Sequence, residues 1–156
     1  MPKLTAAERD ECLAAPGLIM NIATVGADGA PLVTPIWFVH EEGRIWFTPR
    51  QHSEWLAHIR NENRVALSVD ETTIPYRKVV VRGAALLDYE VGNDDLWRDR
   101  YRRIAERYIP PEDANAYVDG TDDQPRALCL DDSSVFPVGD SWDLSQVLVT
   151  ATPRVF

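Results

Sequence analysis

The chain lacks the features that would place it among disulfide-rich, secreted or membrane proteins. It contains two lone cysteines, Cys12 and Cys129, which make no metal or redox motif. Its longest apolar runs fall far short of the ~20 residues that a membrane-spanning helix needs. Residues 1–16 are polar and helix-like, so no signal peptide is visible. We therefore expect a cytoplasmic protein with no membrane partner.

Positive charge is also scarce. Sixteen basic side chains against twenty-five acidic ones give a formal net charge of −9. A general nucleic-acid or anionic-membrane binder needs a dominant positive field, so the composition argues against both classes. The balance of 45% hydrophobic and 26% charged residues is that of an ordinary globular protein. We expect one domain over residues 1–156, with its core at about 15–90, a helical insert at about 93–120 and C-terminal strands and tail at 126–156.

The familiar catalytic signatures are absent as well. The sequence has no GxSxG, HExxH, Walker or GxGxxG motif. His40, His52 and His58 are scattered, and surface or hydrogen-bonding roles explain them better than metal ligation does. Three Asp–Asp pairs fall where turns or helix starts are predicted, and capping alone accounts for them: 94–95, 122–123 and 131–132. We predict no metal site.

The chain reads as a meander of short strands. Alternating patterns and turn residues predict strands at 18–25, 31–39, 44–48, 64–69, 78–87 and 126–130, with 135–138 a candidate partner of the last. Pro35 indicates a bulge or an unpaired edge position, and Gly83 a bulge or a close approach. Short strands with a few helices between them suggest a small barrel with helical inserts.

Four helices fit between these strands. A capping box, Thr5 to Glu8, opens the first, Ser53 is the expected N-cap of a helix to about residue 61, and another short helix follows Pro110. Apolar spacing predicts the longest helix at 94–108, and three i,i+4 pairs there favour a self-paired arginine face over an anchor for an anionic ligand: Asp94–Arg98, Asp99–Arg103 and Arg102–Glu106. The bulky aromatics are expected in the core or a dimer interface: Trp37, Trp46 and Trp97.

The order of these elements is more specific than any single motif. The series begins with a strand that ends in Ala-Thr-Val, followed by an Ala-Asp-Gly turn and a second strand, Pro-Leu-Val-Thr-Pro-Ile-Trp-Phe. It continues with Arg-Ile-Trp-Phe-Thr-Pro-Arg and a helix that starts at a serine. Asn-Arg-Val-Ala-Leu-Ser-Val-Asp and Val-Val-Val-Arg-Gly-Ala-Ala-Leu-Leu come next. This series, over about residues 15–90, resembles the pyridoxamine 5'-phosphate oxidase-like split-barrel superfamily. The tail, with Ser141-Trp142-Asp143, looks like its actinobacterial branch, whose members use FMN or coenzyme F-420.

The resemblance implies a fold and a cofactor site. The fold would be mainly β with helical inserts: a six-stranded antiparallel split β-barrel of the FMN-binding type, in a homodimer with the cofactor in a groove between subunits. Thr48, Arg50 and Ser53 would meet the cofactor phosphate at the start of the following helix. The second strand would run beside the ring through Thr34, Pro35, Ile36 and Trp37. Trp142 would cover the ring or substrate, and Tyr76 with Trp142 are the candidate substrate-side residues.

One residue departs from the family pattern. The resemblance implies a basic residue at the position that Trp55 holds, where it would contact the phosphate, and Glu54 precedes it here. Arg50 and Lys78 are the candidates to replace that charge. Losing a cation beside a dianion weakens binding unless another charge compensates.

Two functions follow from the resemblance. The first is an oxidoreductase that transfers a hydride between bound FMN or coenzyme F-420 and a small organic substrate, with the cofactor carrying the chemistry and no catalytic side chain identifiable. The alternative is a non-catalytic carrier of flavin, deazaflavin or haem, in which His52 or His58 would ligate the haem. A third is a dimer whose groove takes no small ligand. The sequence does not choose between the two cofactors.

Overall fold

The computed structural model describes residues 4–74, 76–121 and 124–132. The helices are α1 (Ala6–Ala14), α2 (Glu54–Asn61), α3 (Arg98–Glu106) and α4 (Pro111–Asp119), with a 3-10 turn at Asp94–Leu96 before α3. The strands are β1 (Met20–Val25), β2 (Pro31–Ile36), β3 (Val39–Glu41), β4 (Arg44–Phe47), β5 (Arg64–Asp70), β6 (Lys78–Tyr89) and β7 (Leu128–Asp132). The capping box at the start of α1 is confirmed. The expected strand at 135–138 lies outside the described residues.

The strands form one antiparallel sheet in the order β2-β1-β5-β6-β7-β4-β3. The fold is mainly β, with an antiparallel sheet consistent with a split barrel, but the sheet has seven strands and not the expected six. The extra strand arises because the predicted strand 31–39 is two strands. β2 ends at Ile36, and the Phe38 amide donates to the Tyr108 hydroxyl (3.1 Å) before β3 begins at Val39.

β2 lies at one edge of the sheet, and Pro35 within it pairs with Asn21 of β1. The edge position expected from this proline is confirmed, since a residue without an amide hydrogen is tolerated there. The bulge expected at Gly83 does not occur there. Gly83 pairs regularly with Val65, and the register shifts instead between Leu87 and Tyr89.

Two apolar clusters hold the helices to the sheet. The first packs α1 and α2 onto the sheet and includes Ile22, Phe47, Trp55, Ile59 and Leu67. The second packs α3 and α4 against β3, β4 and β7. Trp46 and Trp97 belong to this cluster, which confirms that these two tryptophans lie in the core. None of the helices that the structure describes is long and apolar enough to cross a membrane.

The arginine face of α3 makes most of its contacts with other elements. Arg103 Nε lies 2.6 Å from Glu41 Oε1 on β3, and the Arg100 guanidinium lies 3.6 Å above the Trp46 ring centroid. Arg102 does contact Asp99 within the helix (2.7 Å) but also Asp119 on α4 (3.1 Å). The face therefore clamps α3 to its neighbours, which corrects the expectation of pairing along the helix.

Asp131 is buried in β7, although the sequence placed it in a turn. Its carboxylate accepts a hydrogen bond from the Ile45 amide of β4, and the Arg44 guanidinium donates to its carbonyl (3.3 Å). The carboxylate takes the place of a backbone acceptor at the end of the β4–β7 ladder. Burial raises the pKa of the Asp131 carboxyl above its ordinary value.

Tyr108, just past the end of α3, joins three chain segments. Its hydroxyl donates to the Leu18 carbonyl (2.9 Å) and accepts from the Phe38 amide (3.1 Å). Its ring stacks on Trp37, with the centroids 4.7 Å apart and the planes at 7°. One side chain therefore fixes the junction between β2 and β3 and the orientation of Trp37.

The substitution Tyr108→Phe keeps the stacked ring and removes the hydroxyl. We expect the free energy of unfolding to fall by about 1–3 kcal/mol, because the Leu18 carbonyl and Phe38 amide each lose a partner. Urea denaturation measures the change. Tyr76→Phe, at a 44% exposed tyrosine, is the matched control and should leave the midpoint unchanged. Equal midpoints for the two variants would contradict the role of the Tyr108 hydroxyl.

The substitution Asp131→Asn tests the cost of burying the carboxylate. Because the pKa of Asp131 is raised in the folded state, its contribution to stability is full below the unfolded pKa of ~3.9 and is lost as the pH rises through the folded value. We therefore expect the stability of the variant relative to wild type to increase between pH 4 and pH 7. Thermal melts at the two pH values measure this. Asp88→Asn removes the same charge from an exposed strand position, and an identical trend there would refute the assignment to Asp131.

Candidate cofactor-binding site

A cavity of about 210 Å³ lies where β2, the connection from β4 to α2, α3, α4 and the segment before β7 meet. The cavity is lined by residues 34–37 and by residues between 48 and 55, the two segments predicted to bind a cofactor. Lining residues are Thr34, Pro35, Ile36, Trp37, Thr48, Arg50, Ser53, Trp55, Tyr101, Tyr117 and Arg126. The structure thus brings together all the predicted cofactor residues except Lys78 and Trp142.

One wall is polar and comes from the connection between β4 and α2. It carries Thr48, Arg50 and Ser53, directly after β4 ends and before α2 begins. The Ser53 amide (3.0 Å) and hydroxyl (2.7 Å) both donate to the Arg50 carbonyl, which closes a tight turn. Ser53 is the N-cap residue of α2 as expected, but its hydroxyl makes no capping bond, so the first-turn amides of α2 have no side-chain cap.

Arg126 reaches the same wall from the far end of the chain. It faces Arg50 in an antiparallel bridge, flanked by hydrogen bonds from the Gln51 amide to the Pro125 carbonyl (2.8 Å) and from the Ala127 amide to the Pro49 carbonyl (3.0 Å). Two arginines therefore stand side by side at the cavity, held by backbone pairing.

The Arg126 side chain is only 7% exposed. One guanidinium nitrogen donates to the Thr48 carbonyl (3.3 Å), while Nε is buried without a partner among the described residues. Burial lowers the pKa of Arg126, and the neighbouring charge of Arg50 lowers it further. An arginine remains charged at neutral pH even so.

The opposite wall is aromatic. The Trp37 ring lies 5.3 Å from that of Tyr117, and the rings of Tyr101 and Tyr117 lie 6.1 Å apart in an edge-on arrangement. The Arg126 guanidinium lies 4.8 Å from the Tyr101 ring centroid and joins the two walls. Burial raises the pKa of Tyr101 to about 12, so its hydroxyl keeps its proton at neutral pH. Aromatic rings opposite cations suit a flat, conjugated ligand that carries an anionic group.

Trp55 closes the inner end of the cavity. It is 8% exposed and belongs to the first apolar cluster, with its ring 6.0 Å from that of Phe47. The position therefore packs into the core and brings no charge to the polar wall.

Two predicted site residues do not line the cavity, and a third is not described. Lys78 begins β6 with its ammonium 3.9 Å from an Asp70 oxygen, and it is not among the residues that line the cavity. Tyr76 is exposed in the connection between β5 and β6, with a positive φ of 59°. Trp142 lies outside the described residues. The roles given to these residues stay predictions.

Sequence reasoning missed three lining residues: Tyr101, Tyr117 and Arg126. Tyr101 falls within the helix predicted at 94–108, and Arg126 begins the strand predicted at 126–130. The contact between Arg126 and Thr48 joins residues 78 positions apart, so local sequence patterns do not reveal it. The one hint of a role for Arg126 in the sequence is that an arginine begins an otherwise apolar strand.

The cavity carries no metal-binding cluster. In the part of the chain that the structure describes, no three histidine, cysteine or acidic side chains are placed to hold a metal ion. All three histidines are absent from the cavity lining. His58 Nδ1 pairs with the Thr24 hydroxyl (3.0 Å), and His52 lines an adjoining cavity of about 490 Å³ that shares Arg50 and Ser53.

Several solved structures share this architecture. An F420 reductase is 26% identical, with a TM-score of 0.58, and the match covers 78% of this chain and 90% of that one. A FAD-binding protein from Mesorhizobium loti is 19% identical (TM-score 0.60, 83% and 89% covered), and the heme storage protein from Vibrio cholerae is 17% identical (TM-score 0.61, 81% and 88% covered). The last two likenesses show the fold alone.

A comparison with curated proteins finds no match. The sequence model of the pyridoxamine 5'-phosphate oxidase family, in contrast, matches residues 6–130, which include every strand but the end of β7 and every residue of the cavity lining. This chain therefore belongs to the pyridoxamine 5'-phosphate oxidase family.

Proposed function

We propose that this protein binds a phosphorylated flavin or deazaflavin, FMN or coenzyme F-420, and transfers a hydride between it and a small organic substrate. The observation that carries the proposal is the pairing of an aromatic wall with an arginine-bearing wall in one cavity. Both cofactors combine a flat tricyclic ring with a phosphate group, which is the chemistry that these two walls suit.

The polar wall would take the phosphate. Thr48 and Ser53 offer hydroxyls, Arg50 offers a charge, and the uncapped first turn of α2 offers amides with a favourable helix dipole. α2 has eight residues, enough for its amide dipoles to sum over two turns. These groups supply hydrogen bonds to phosphate oxygens from several directions.

The edge strand β2 would hold the ring. No described strand pairs with the outer edge of β2, so backbone groups there are available to bond the polar edge of a flavin. Trp37, at the end of β2, is held in place by its stack on Tyr108 and offers a flat surface. The ring would therefore lie along residues 34–37.

The bound cofactor would supply the hydride chemistry itself. The protein's own residues would orient the ring, exclude water from one side of it and donate hydrogen bonds. Tyr101 suits the last role, because its pKa of about 12 makes its hydroxyl a donor and a poor base at neutral pH. The 26% identity to an F420 reductase supports the deazaflavin over FMN.

The second candidate is a carrier that binds flavin, deazaflavin or haem without turnover. The fold shared with a heme storage protein and the position of His52 beside the adjoining cavity favour the haem version. Haem binding through a histidine requires a free ring nitrogen. His58 already uses Nδ1 on Thr24 and has Nε2 3.7 Å from a Glu54 oxygen, so His52 is the better ligand candidate.

A titration of the ligand-stripped protein with FMN, coenzyme F-420 and haem distinguishes these functions. We expect micromolar or tighter binding of one flavin-type cofactor, equivalent to about −8 kcal/mol, followed by fluorescence. Oxidation of the reduced cofactor by a panel of small organic acceptors then separates an enzyme from a carrier. Haem binding whose Soret band is lost in the His52→Ala variant would favour the haem carrier over the proposed enzyme. Binding of none of the three ligands would refute the proposed function.

We also propose that the protein is a homodimer that uses the outer face of β1 and β2. Val33, in the middle of β2, is 61% exposed, and Val25 on β1 is exposed as well. Val33 pairs with Ala23, which in turn pairs with Ala66, so small apolar residues continue across three strands. A flat apolar face of this kind is typical of a self-association surface.

The substitution Val33→Glu tests this surface. We expect light scattering after gel filtration to report a dimer for wild type and a monomer for the variant, because an unpaired charge would be buried at the interface. Leu96→Glu, at a similarly exposed apolar residue in the 3-10 turn, is the matched control and should stay dimeric. A monomeric wild type would contradict the proposal directly.

A further inference from the structure

The phosphate site proposed above has too little charge at the start of α2. Trp55 contributes none because it packs into the core, and Glu54 beside it adds a negative charge. Lys78 lies against Asp70 at the start of β6 and does not line the cavity. Arg50 is the single cation that the connection between β4 and α2 brings to that wall, where it would face a phosphate with one negative charge in the diester of coenzyme F-420 and close to two in FMN.

Arg126 is placed where a second cation would be needed. It is nine-tenths buried, lines the cavity and keeps Nε without a partner among the described residues. A buried guanidinium nitrogen without an acceptor is costly. Arg100, Arg102 and Arg107 share this feature, but of these four arginines Arg126 alone lines the cavity. The Thr48 carbonyl satisfies only one other nitrogen of the group.

The bridge between Arg50 and Arg126 is itself unfavourable without an anion. Residues that face each other in an antiparallel bridge have their side chains about 4.5–5.5 Å apart at Cβ, where like charges repel. Neither guanidinium forms an ion pair with a carboxylate of the described residues. Asp94 is close enough to act on the charge of Arg126, but its carboxylate accepts from the Arg126 backbone amide (3.2 Å) and forms no ion pair with the guanidinium. An anion between the two side chains would relieve the repulsion.

We propose that Arg126 and Arg50 form a two-arginine clamp for the cofactor phosphate, and that Arg126 supplies from the β7 side the charge that α2 lacks at Trp55. The inference rests on the proposed function and adds the residue that gives it phosphate specificity. The backbone bridge positions both residues before the ligand arrives, and the Arg126 side chain is already buried, so the ordering on binding falls mainly on the exposed Arg50 side chain. The unpaired Nε of Arg126 then gains an acceptor oxygen through a charge-assisted hydrogen bond.

The experiment compares FMN with riboflavin, which has the same ring and no phosphate. Wild type is expected to bind FMN more tightly. Arg126→Met should lose about tenfold to a hundredfold in FMN affinity and keep its riboflavin affinity, the range expected for hydrogen bonds to a charged group. Arg60→Met, at an exposed arginine paired with Glu90, is the matched control and should change neither affinity. If wild type prefers the deazaflavin, coenzyme F-420 and its phosphate-free chromophore replace the two ligands.

Each other outcome has a separate meaning. Equal losses for FMN and riboflavin in Arg126→Met would overturn the clamp and leave Arg126 as a structural residue. An unchanged preference for FMN would overturn it too, while the proposed function stands. A wild-type protein that binds none of these ligands would instead remove the proposed function.

A second measurement needs no variant and covers the case in which Arg126→Met does not fold. Inorganic phosphate should raise the melting temperature of the wild type above its value in chloride at equal ionic strength. It should also compete with FMN and leave riboflavin binding unchanged. Because phosphate also stabilises folded proteins non-specifically, the competition decides: phosphate that does not compete with FMN, or that weakens riboflavin binding equally, would overturn the clamp.

Discussion

The candidate site depends on the backbone pairing between residues 49–51 and 125–127. The β4–β7 ladder ends with Phe47 opposite Cys129, and two further hydrogen bonds extend the pairing past the strand ends to bring Arg50 opposite Arg126. Without this extension the segment before β7 would leave the polar wall, and the cavity would lose its second arginine. Because these bonds join main-chain atoms, they hold the backbone of both arginines in place whatever the ligand, and burial also restricts the Arg126 side chain.

Charge is distributed unevenly in this acidic protein. Arginines on α3 are matched with carboxylates on neighbouring elements, such as Arg103 with Glu41, and they serve packing. Arg50 and Arg126 form no side-chain ion pair with a carboxylate of the described residues, although the Asp94 carboxylate accepts from the Arg126 backbone amide. A chain with a formal charge of −9 repels anions in general, so a locally unmatched positive pair within a cavity is the feature that can attract one. In the proposed clamp, the same pair would favour an anionic ligand group over a neutral one.

The sequence predicted the local parts of the structure and missed those that packing decides. Turn residues, a capping box and the edge proline follow from chemistry within a few residues. The cavity residues within 34–37 and 48–55 were instead implied by the resemblance to the family. The break between β2 and β3 could not be foreseen, since it depends on the Tyr108 hydroxyl taking the Phe38 amide. The burial of Asp131 in a strand and the position of Arg126 in the cavity were missed for the same reason. Each side chain is bonded to a residue distant in sequence, Asp131 to the Ile45 amide and Arg126 to the Thr48 carbonyl.

The chemistry of the cavity bears on whether the proposed cofactor is used or only carried. Tyr101 keeps its proton at neutral pH, and the carboxylates and histidines of the described residues are absent from the lining. A site of this composition can bind, orient and donate hydrogen bonds, but it has no side chain suited to remove a proton. Hydride transfer between a flavin and an acceptor needs orientation above all, because the cofactor holds the reactive atoms. The lack of a general base therefore does not argue for a carrier, and the distinction depends on whether a substrate can reach the face of the ring that Trp37 leaves open.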